Sequence, residues 1–183
     1  MLVAIVFNTG CNKKPLDQTP TGQYTTGNFW RNQADVVAGI TGIYNILITE
    51  DWVGHNLYIF DDQSDDISVD GDHSDFKAIE RFNIDPTLQV IYTIWPFAYE
   101  QIGSANNAII YIPKVPVIDE DIRKRSMGEA YFLRAYAYFE LSKIYGEVPI
   151  ILEDNVITGT YNVPKSSVNS LGAQVESNLW QAI

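Results

Sequence analysis

The chain lacks several features that would each indicate a class of protein. It has one cysteine, Cys11, in 183 residues, so no disulfide can form within it. Its 12 lysines and arginines form no basic cluster and are outnumbered by 23 aspartates and glutamates, for a net charge of −11. Such a surface repels phosphate backbones, which argues against nucleic-acid binding. The two histidines, His55 and His73, give no convincing zinc spacing and no Ser–His–Asp pattern.

What is present indicates a folded domain. Hydrophobic residues make up 46 % of the chain and charged residues 19 %, which is ordinary globular composition and excludes wholesale disorder. The length suits one domain with a core, or part of a larger one. The aromatic share is 13 %, and tyrosine and tryptophan suit both cores and wet binding surfaces. Composition alone therefore leaves the partner open.

Residues 128–151 carry the strongest helix signal. Apolar side chains recur there at spacings of three and four, at Ala130, Leu133, Ala137, Leu141 and Ile144. Gly146 is placed to end the helix and Pro149 blocks its continuation. Arg134 lies within this apolar helix, so we expect it to be buried and paired through a salt bridge or carbonyl contacts.

The periodicity predicts an all-α fold made of tetratricopeptide-like helical pairs with long irregular loops. The predicted helices span residues 33–49, 96–112, 120–145 and 167–183. Pro96 suits the first turn of its helix, and residues 50–90 and 147–165 show no sustained period. Only one complete pair is visible, whereas repeat arrays need about three units. We therefore expect the domain to be incomplete at its C-terminal side.

Cys11 follows a short apolar run and the small residues Thr9 and Gly10, which is similar to a bacterial lipoprotein signal. The run at residues 2–7 is short for such a signal and no lysine or arginine precedes it, so an incidental thiol remains the alternative. No other segment approaches the roughly 18 apolar residues of a membrane span. The predicted organisation is a signal remnant at 1–10, a polar tether at 11–30 and a helical domain at 31–183.

The order of several sequence blocks carries a family resemblance. After Cys11 come LDQTPTGQY, NFWRNQADVVAGITGIYNIL, WPFAYEQIGSANNAI, GEAYFLRAYAYFELSKIYGEVPII and SSVNSLGAQVESNLWQAI. This order resembles the N-terminal part of the SusD/RagB family of Bacteroidetes outer-membrane lipoproteins. The resemblance covers essentially the whole chain, and residues 129–149 are its most specific block.

The resemblance implies a surface-exposed lipoprotein, anchored to the outer membrane through Cys11, that needs no cofactor and is not an enzyme. It implies that the protein captures glycans, or in some members peptides, and passes them to a TonB-dependent transporter of the SusC type. Family members are several hundred residues long, so the resemblance also implies a missing C-terminal part. The rival interpretation from another class is a helical-repeat adaptor that binds protein segments in its groove.

The acidic loop at residues 61–75 is the candidate ligand site. Sugars need flat aromatic faces for their C–H patches and polar side chains for their hydroxyls. These residue types come together at Trp52, Tyr58, Asp61, Asp62, Gln63 and Asp65. The alternative is that the aromatic residues pack the loop onto the helices. Trp95 is expected to pack just ahead of a helix.

Metal binding and hydrolysis are the other hypotheses for this loop. Its opening positions match an EF-hand loop, but Lys77 stands at the twelfth position, where a bidentate glutamate is needed. A looser oxygen-ligand site or a solvated loop remains open, and no metal is predicted. The carboxylates at Asp61, Asp62, Asp65 and Asp66 crowd one loop, whereas a glycosidase needs two that flank the scissile bond, so catalysis is not expected.

Overall fold

The computed structural model of the chain describes residues 29–183, apart from the side chains of residues 56–58. Its helices are α1 (Gln33–Leu47), α2 (His55–Asp61), α3 (Ser74–Glu80), α4 (Gln89–Tyr111), α5 (Glu120–Tyr145), α6 (Glu153–Thr158) and α7 (Val168–Ala182). A π-helical turn (Glu50–Gly54) precedes α2 and a 3-10 turn (Ile112–Lys114) follows α4. No strand occurs in this described part, where a single bridge pairs Pro149 with Lys165. The all-α prediction is confirmed.

Capping residues fix both ends of α5 and the start of α7. The Asp119 carboxylate accepts hydrogen bonds from the backbone N–H groups of Asp121 and Ile122, at 2.9 and 3.2 Å, so α5 begins where its sequence indicates. Gly146 ends α5 with a φ of +71°, in the region that favours glycine. The Ser167 hydroxyl accepts a hydrogen bond from the backbone of Ser170 at 3.2 Å and opens α7.

The start of α4 differs from the prediction. The helix begins at Gln89, so Pro96 lies inside it rather than in its first turn. A proline there removes one backbone hydrogen bond. The preceding turns bury Val90, Ile91 and Ile94, and this burial outweighs the lost bond. Trp95 consequently lies within α4 and not ahead of a helix.

Residues 50–90 are also more ordered than their sequence suggested. They contain the π-helical turn, α2 and α3, and each short element has an apolar anchor in the core. Trp52 in the turn and Ile79 in α3 are both fully buried. These helices are too short to show a period, so packing against α4 rather than local pattern holds them. Residues 147–165 likewise include the short helix α6.

The long helix α5 is the centre of the fold. It packs against α4 on one side and α7 on another, while α1 packs across α4 and α5. One buried cluster lies between α4, α5, α7 and the elements at 50–80, and a second lies between α1, α4 and the first half of α5. Within the described residues, no helix has both the length and the apolar character needed to cross a membrane.

Arg134 is buried in α5 and ties four helices together. Its side chain is 3 % exposed and lies 2.9 Å from the Glu153 carboxylate of α6. It also donates hydrogen bonds to Asn106 Oδ1 of α4 at 2.6 Å and Asn178 Oδ1 of α7 at 2.8 Å. The prediction that this arginine is paired is confirmed. We call these four residues the Arg134 network.

Candidate functional site

A polar cleft opens beside the short helices at residues 50–80. Two cavities of about 380 and 370 Å³ adjoin there and share Glu50, His55, His73 and Phe76 in their linings. We call the pair the acidic cleft. Its walls are the π-helical turn and α2 on one side and the loop leading into α3 on the other. Carboxylates dominate the lining, at Glu50, Asp51, Asp61, Asp62, Asp70, Asp72 and Asp75.

Aromatic rings and a hydrogen bond position the histidines of the acidic cleft. The imidazoles of His55 and His73 meet the ring of Phe76 edge to face, with centroids 5.8 and 5.9 Å away. His55 Nδ1 also lies 3.1 Å from the Thr93 hydroxyl of α4 and 3.6 Å from the Asp51 carboxylate. Phe76 therefore forms an aromatic surface within a ring of polar groups.

Local hydrogen bonds shape the loop of the acidic cleft. Asp75 Oδ2 accepts the backbone N–H of Gln89 at 2.7 Å, which joins α3 to the start of α4. The Ser68 hydroxyl donates to Glu80 at 3.1 Å, and the Lys77 ammonium donates to the Gly71 carbonyl. Gly71 has a φ of +74°, so the chain turns there in a conformation that suits glycine.

Asp62 is the most unusual carboxylate of the acidic cleft. It is only 5 % exposed. Burial raises the pKa of its carboxyl above the usual range, and the negative charges of Glu80 and Asp61 raise it further. A buried carboxylate beside like charges, at the wall of a cavity, is an arrangement typical of binding and catalytic sites. Hydroxyl donors from a ligand would stabilise its ionised form.

The structure separates the predicted site residues into four groups, the last of which is Trp52 in the core. Asp61 and Asp62 line the acidic cleft, whereas Gln63 and Asp65 follow on the same loop and line neither cavity. Tyr58 lies in α2, but its side chain is outside the described residues, as is the whole of Cys11.

Trp52 lies in the core, as the packing alternative predicted. It is fully buried and meets Tyr136 of α5 edge to face, with centroids 6.3 Å apart. Its indole N–H donates to Gln101 Oε1 at 2.6 Å. Because no face of the indole is open, Trp52 supports the cleft from beneath and offers no surface for a sugar to stack on.

The loop was also a candidate for a looser metal site. Among the residues that the structure describes, no group of three or more histidine, cysteine, aspartate or glutamate side chains is placed to hold a metal ion. Lys77 lies at the position where an EF-hand requires a glutamate, and its ammonium bonds to the loop itself. The arrangement fits hydrogen bonding to a neutral polar ligand.

Sequence reasoning missed a second cavity on another face of α4. It has a volume of about 350 Å³ and is lined by Trp95, Tyr99, Ile102, Gly103, Asn107, Pro149, Ile151, Val156 and Tyr161. We call it the aromatic pocket. Taking Pro96 as a helix start hid the pattern, because residues 95, 99, 102 and 103 share one face only when α4 begins earlier.

The helical scaffold and the cleft beside its short helices define a class of protein. Comparison of the chain with known proteins identifies that class. A family model described as "Starch-binding associating with outer membrane" matches residues 14–183. The chain therefore belongs to this SusD-like family, and its helices have the tetratricopeptide-like all-α fold of that family. The expected membership is confirmed.

Individual relatives agree with this assignment. SusD-like protein P2 of Formosa agariphila is 29 % identical over 155 residues, covering 82 % of this chain and 30 % of the relative. A SusD-like protein of Bacteroides ovatus is 25 % identical over 158 residues, covering 83 % and 27 %. The chain thus spans about a third of the length of the relatives that it matches.

Solved structures show the same fold. A laminarin binding SusD-like protein superposes with a TM-score of 0.72 at 25 % identity, over 84 % of this chain and 34 % of that one. The B. fragilis protein NanU superposes with a TM-score of 0.73 at 20 % identity, over 90 % and 33 %. At that lower identity the likeness to NanU concerns the fold alone.

Proposed function

We propose that this chain belongs to a non-catalytic glycan-binding protein of the cell surface and that the acidic cleft contacts the glycan. The observation that carries the proposal is the acidic cleft itself, whose lining combines carboxylates with Phe76 in a member of a family described as starch-binding. The structural likeness to a laminarin-binding protein supports a glycan as the ligand.

The chemistry of the acidic cleft suits sugar hydroxyls. Carboxylates accept hydrogen bonds from hydroxyl groups, and such charge-assisted bonds are stronger than neutral ones. Asp62 would gain most from such hydrogen bonds, because burial and the charges of Glu80 and Asp61 disfavour its ionised form. Phe76 adds apolar surface to this lining. Gln63 and Asp65 extend the polar rim along the loop, and we retain them and Tyr58 as outer contacts.

The cellular setting is a proposal that follows from the family and from the N-terminal sequence. Lipid attached to Cys11 would hold the domain at the outer membrane, and residues 11–30 would act as the tether. Stable anchoring needs more than one acyl chain. From there the protein would deliver glycans to a TonB-dependent SusC-like transporter. A Cys11→Ala variant expressed in a Bacteroidetes host should move from the membrane fraction to the soluble fraction.

The binding proposal is tested by neutralising the acidic cleft. Titration calorimetry with maltoheptaose and laminariheptaose would compare the chain with its Asp61→Asn/Asp62→Asn variant. We expect at least one oligosaccharide to bind and to be recovered intact. The double variant should lose roughly tenfold or more in affinity, since a hydrogen bond to a charged group contributes about 1.5–3 kcal/mol.

Asp154→Asn is the matched control, because it removes one exposed carboxylate from α6, outside the acidic cleft. Its affinity should equal that of the unaltered chain. Equal affinity in the double variant would place the glycan elsewhere. Binding of extended peptides in place of either oligosaccharide would favour the helical-repeat adaptor, and shortened oligosaccharides after incubation would favour a hydrolase.

A further inference from the structure

The aromatic pocket is separate from the acidic cleft. The two share no lining residue, although both use α4. Val90 lines the acidic cleft, and Trp95, five residues further on, lines the aromatic pocket. Five residues turn a helix by roughly 140° at 3.6 residues per turn, so the two side chains leave α4 on different faces. A ligand in one cavity therefore leaves the other free.

Fixed aromatic rings form one wall of the aromatic pocket. Trp95 is 37 % exposed, and its ring lies 5.0 Å from those of Tyr99 and Tyr145. The Tyr99 hydroxyl donates to the Pro149 carbonyl at 2.7 Å, which fixes both residues at the pocket lining. Tyr161, from the segment after α6, is exposed and lines the same pocket. Rings held in this way keep their faces available without ordering on binding.

One buried polar atom at the aromatic pocket has no partner. Asn107 Oδ1 is buried and accepts no hydrogen bond within the described part of the chain. The neighbouring buried amides of α4 differ, since Gln101 bonds to Trp52 and Leu133 and Asn106 bonds to Ile151. This oxygen has almost no accessible surface, so the apolar and aromatic side chains of the lining, rather than this amide, are what the aromatic pocket offers to a ligand.

We propose that the aromatic pocket is a second sugar subsite that takes one neutral pyranose ring against its exposed aromatic side chains. The ring's C–H face would pack on Trp95 and Tyr161. This inference rests on the proposed glycan-binding function. The volume lies at the small end of ligand pockets, which run from about 300 Å³ upward.

The lining also decides which sugars fit. None of its nine residues carries a charge. A uronic acid or a phosphorylated sugar would bury its own charge there without a counter-ion, which is costly. The aromatic pocket therefore selects neutral hexose units, in contrast to the carboxylate-lined acidic cleft.

Gly103 allows the aromatic pocket to be closed with little change to the fold. A Cβ added to it meets nothing within 4 Å, so the side chain of Gly103→Leu enters open space. Gly172→Leu on α7 is the matched control, since its Cβ also meets nothing within 4 Å and it lies outside the pocket. Tyr161→Ala is a second variant that removes an exposed ring and no core contact.

The test is titration calorimetry with maltoheptaose and laminariheptaose, with thermal unfolding of every variant. We expect Gly103→Leu to lower the number of bound sites by one or the affinity by roughly tenfold, and Tyr161→Ala to weaken binding severalfold. Gly172→Leu should match the unaltered chain. Methyl glucoside should also quench Trp95 fluorescence in Asp61→Asn/Asp62→Asn as it does in the unaltered chain.

Two results overturn the inference and can be told apart. If glycan binding depends on Asp61 and Asp62 but is unchanged in Gly103→Leu and Tyr161→Ala, the second subsite is wrong and the proposed function stands. If the unaltered chain binds neither oligosaccharide, both proposals fail together.

Discussion

The Arg134 network and the acidic cleft both bury charge, but they balance it in opposite ways. Arg134 meets the carboxylate of Glu153 and two amide oxygens, so opposite charge and acceptors surround it. Asp62, at 5 % exposure, instead lies near the like charges of Glu80 and Asp61, and its pKa is raised. A charge that is neutralised by its own chain holds helices together. A charge placed among like charges destabilises the unbound fold and is available to a ligand.

This difference extends to the elements that carry the residues. The Arg134 network joins the three long helices α4, α5 and α7 and holds the short helix α6 against them through Glu153. The acidic cleft is built from short helices and a loop held by local bonds such as that from Ser68 to Glu80. Stability therefore resides in the long helices and the candidate chemistry in residues 50–80, as expected for sites carried on a rigid scaffold.

Breaking the Arg134 network should have the largest effect. Arg134→Met removes the only charge facing the Glu153 carboxylate in that network and the donor to Asn106 Oδ1, while Asn178 Oδ1 keeps its hydrogen bond from Gln174. Removing one partner of a fully buried ion pair costs about 3–5 kcal/mol, and we expect a loss toward the low end of that range because the Glu153 side chain is 27 % exposed. Urea unfolding followed by circular dichroism should show that loss. The control is Arg125→Met, whose side chain is 64 % exposed and 3.7 Å from Glu129, where a surface pair contributes about 1 kcal/mol or less. Equal losses in the two variants would contradict a structural role for the network.

The sequence predicts that Arg134 is paired, but it does not predict which residues are its partners. One arginine inside an apolar helix must find acceptors, so burial and pairing followed from local pattern. Glu153 lies in a segment without periodicity, and its approach to Arg134 depends on how that segment folds back over α4 and α5. The chain fold alone supplies that information, because the bridge between Pro149 and Lys165 and the bond from Tyr99 hold the segment in place.

The next largest effect on stability is expected for Trp52. Its substitution distinguishes a supporting role in the core from direct contact with the ligand. Trp52→Phe removes the donor to Gln101 Oε1 and leaves that buried acceptor unsatisfied, which costs about 1–3 kcal/mol. Oligosaccharide affinity should stay the same, because the indole has no open face. Trp180→Phe is the control, since Trp180 is 70 % exposed and its change in stability should lie within about 0.5 kcal/mol. A fall in oligosaccharide affinity without a fall in stability would instead indicate that Trp52 contacts the ligand.

Two acidic residues and two tryptophans show which properties of the candidate site can be predicted from sequence. Its residue types can be predicted, whereas their exposure cannot. Residue type was enough to predict Asp61 and Asp62 as site residues, since a dense acidic loop is visible without a fold. The structure places both at the lining of the acidic cleft, and their contact with a ligand stays a prediction.

Exposure was not visible, because it depends on contacts between distant segments. Trp52 was a candidate ligand contact with core packing as the alternative, and it packs in the core against Tyr136. Trp95 was expected to pack ahead of a helix, yet it lies in α4 and lines a pocket. The start of a helix is therefore hard to predict from sequence where a proline lies inside the helix, as Pro96 does in α4.

Neutralising Asp62 should have the smallest effect and the opposite sign. A carboxyl whose pKa is raised on folding contributes stability below its unfolded pKa, and that contribution is lost as pH rises through the folded pKa. Near pH 7 the ionised carboxylate therefore destabilises the fold, and Asp62→Asn should raise the unfolding midpoint. We expect at most about 2–4 °C, which corresponds to about 1 kcal/mol in a domain of this size. The gain should vanish below about pH 4, where both side chains are neutral.

Asp85 offers the matched comparison for this pH dependence. Hydrogen bonds from the hydroxyl and backbone N–H of Thr87 lower the pKa of its carboxyl, so its contribution is present above the unfolded pKa and is lost in acid. Asp85→Asn should therefore give no gain near pH 7. Thermal unfolding of both variants at several pH values measures the difference.

If Asp62→Asn stabilises the fold while the Asp61→Asn/Asp62→Asn variant loses glycan affinity, the carboxylate of Asp62 lowers the stability of the fold and contributes to binding. If Asp62→Asn instead lowers the midpoint near pH 7, Asp62 is a structural carboxylate like Glu153, and the contrast between the two regions disappears.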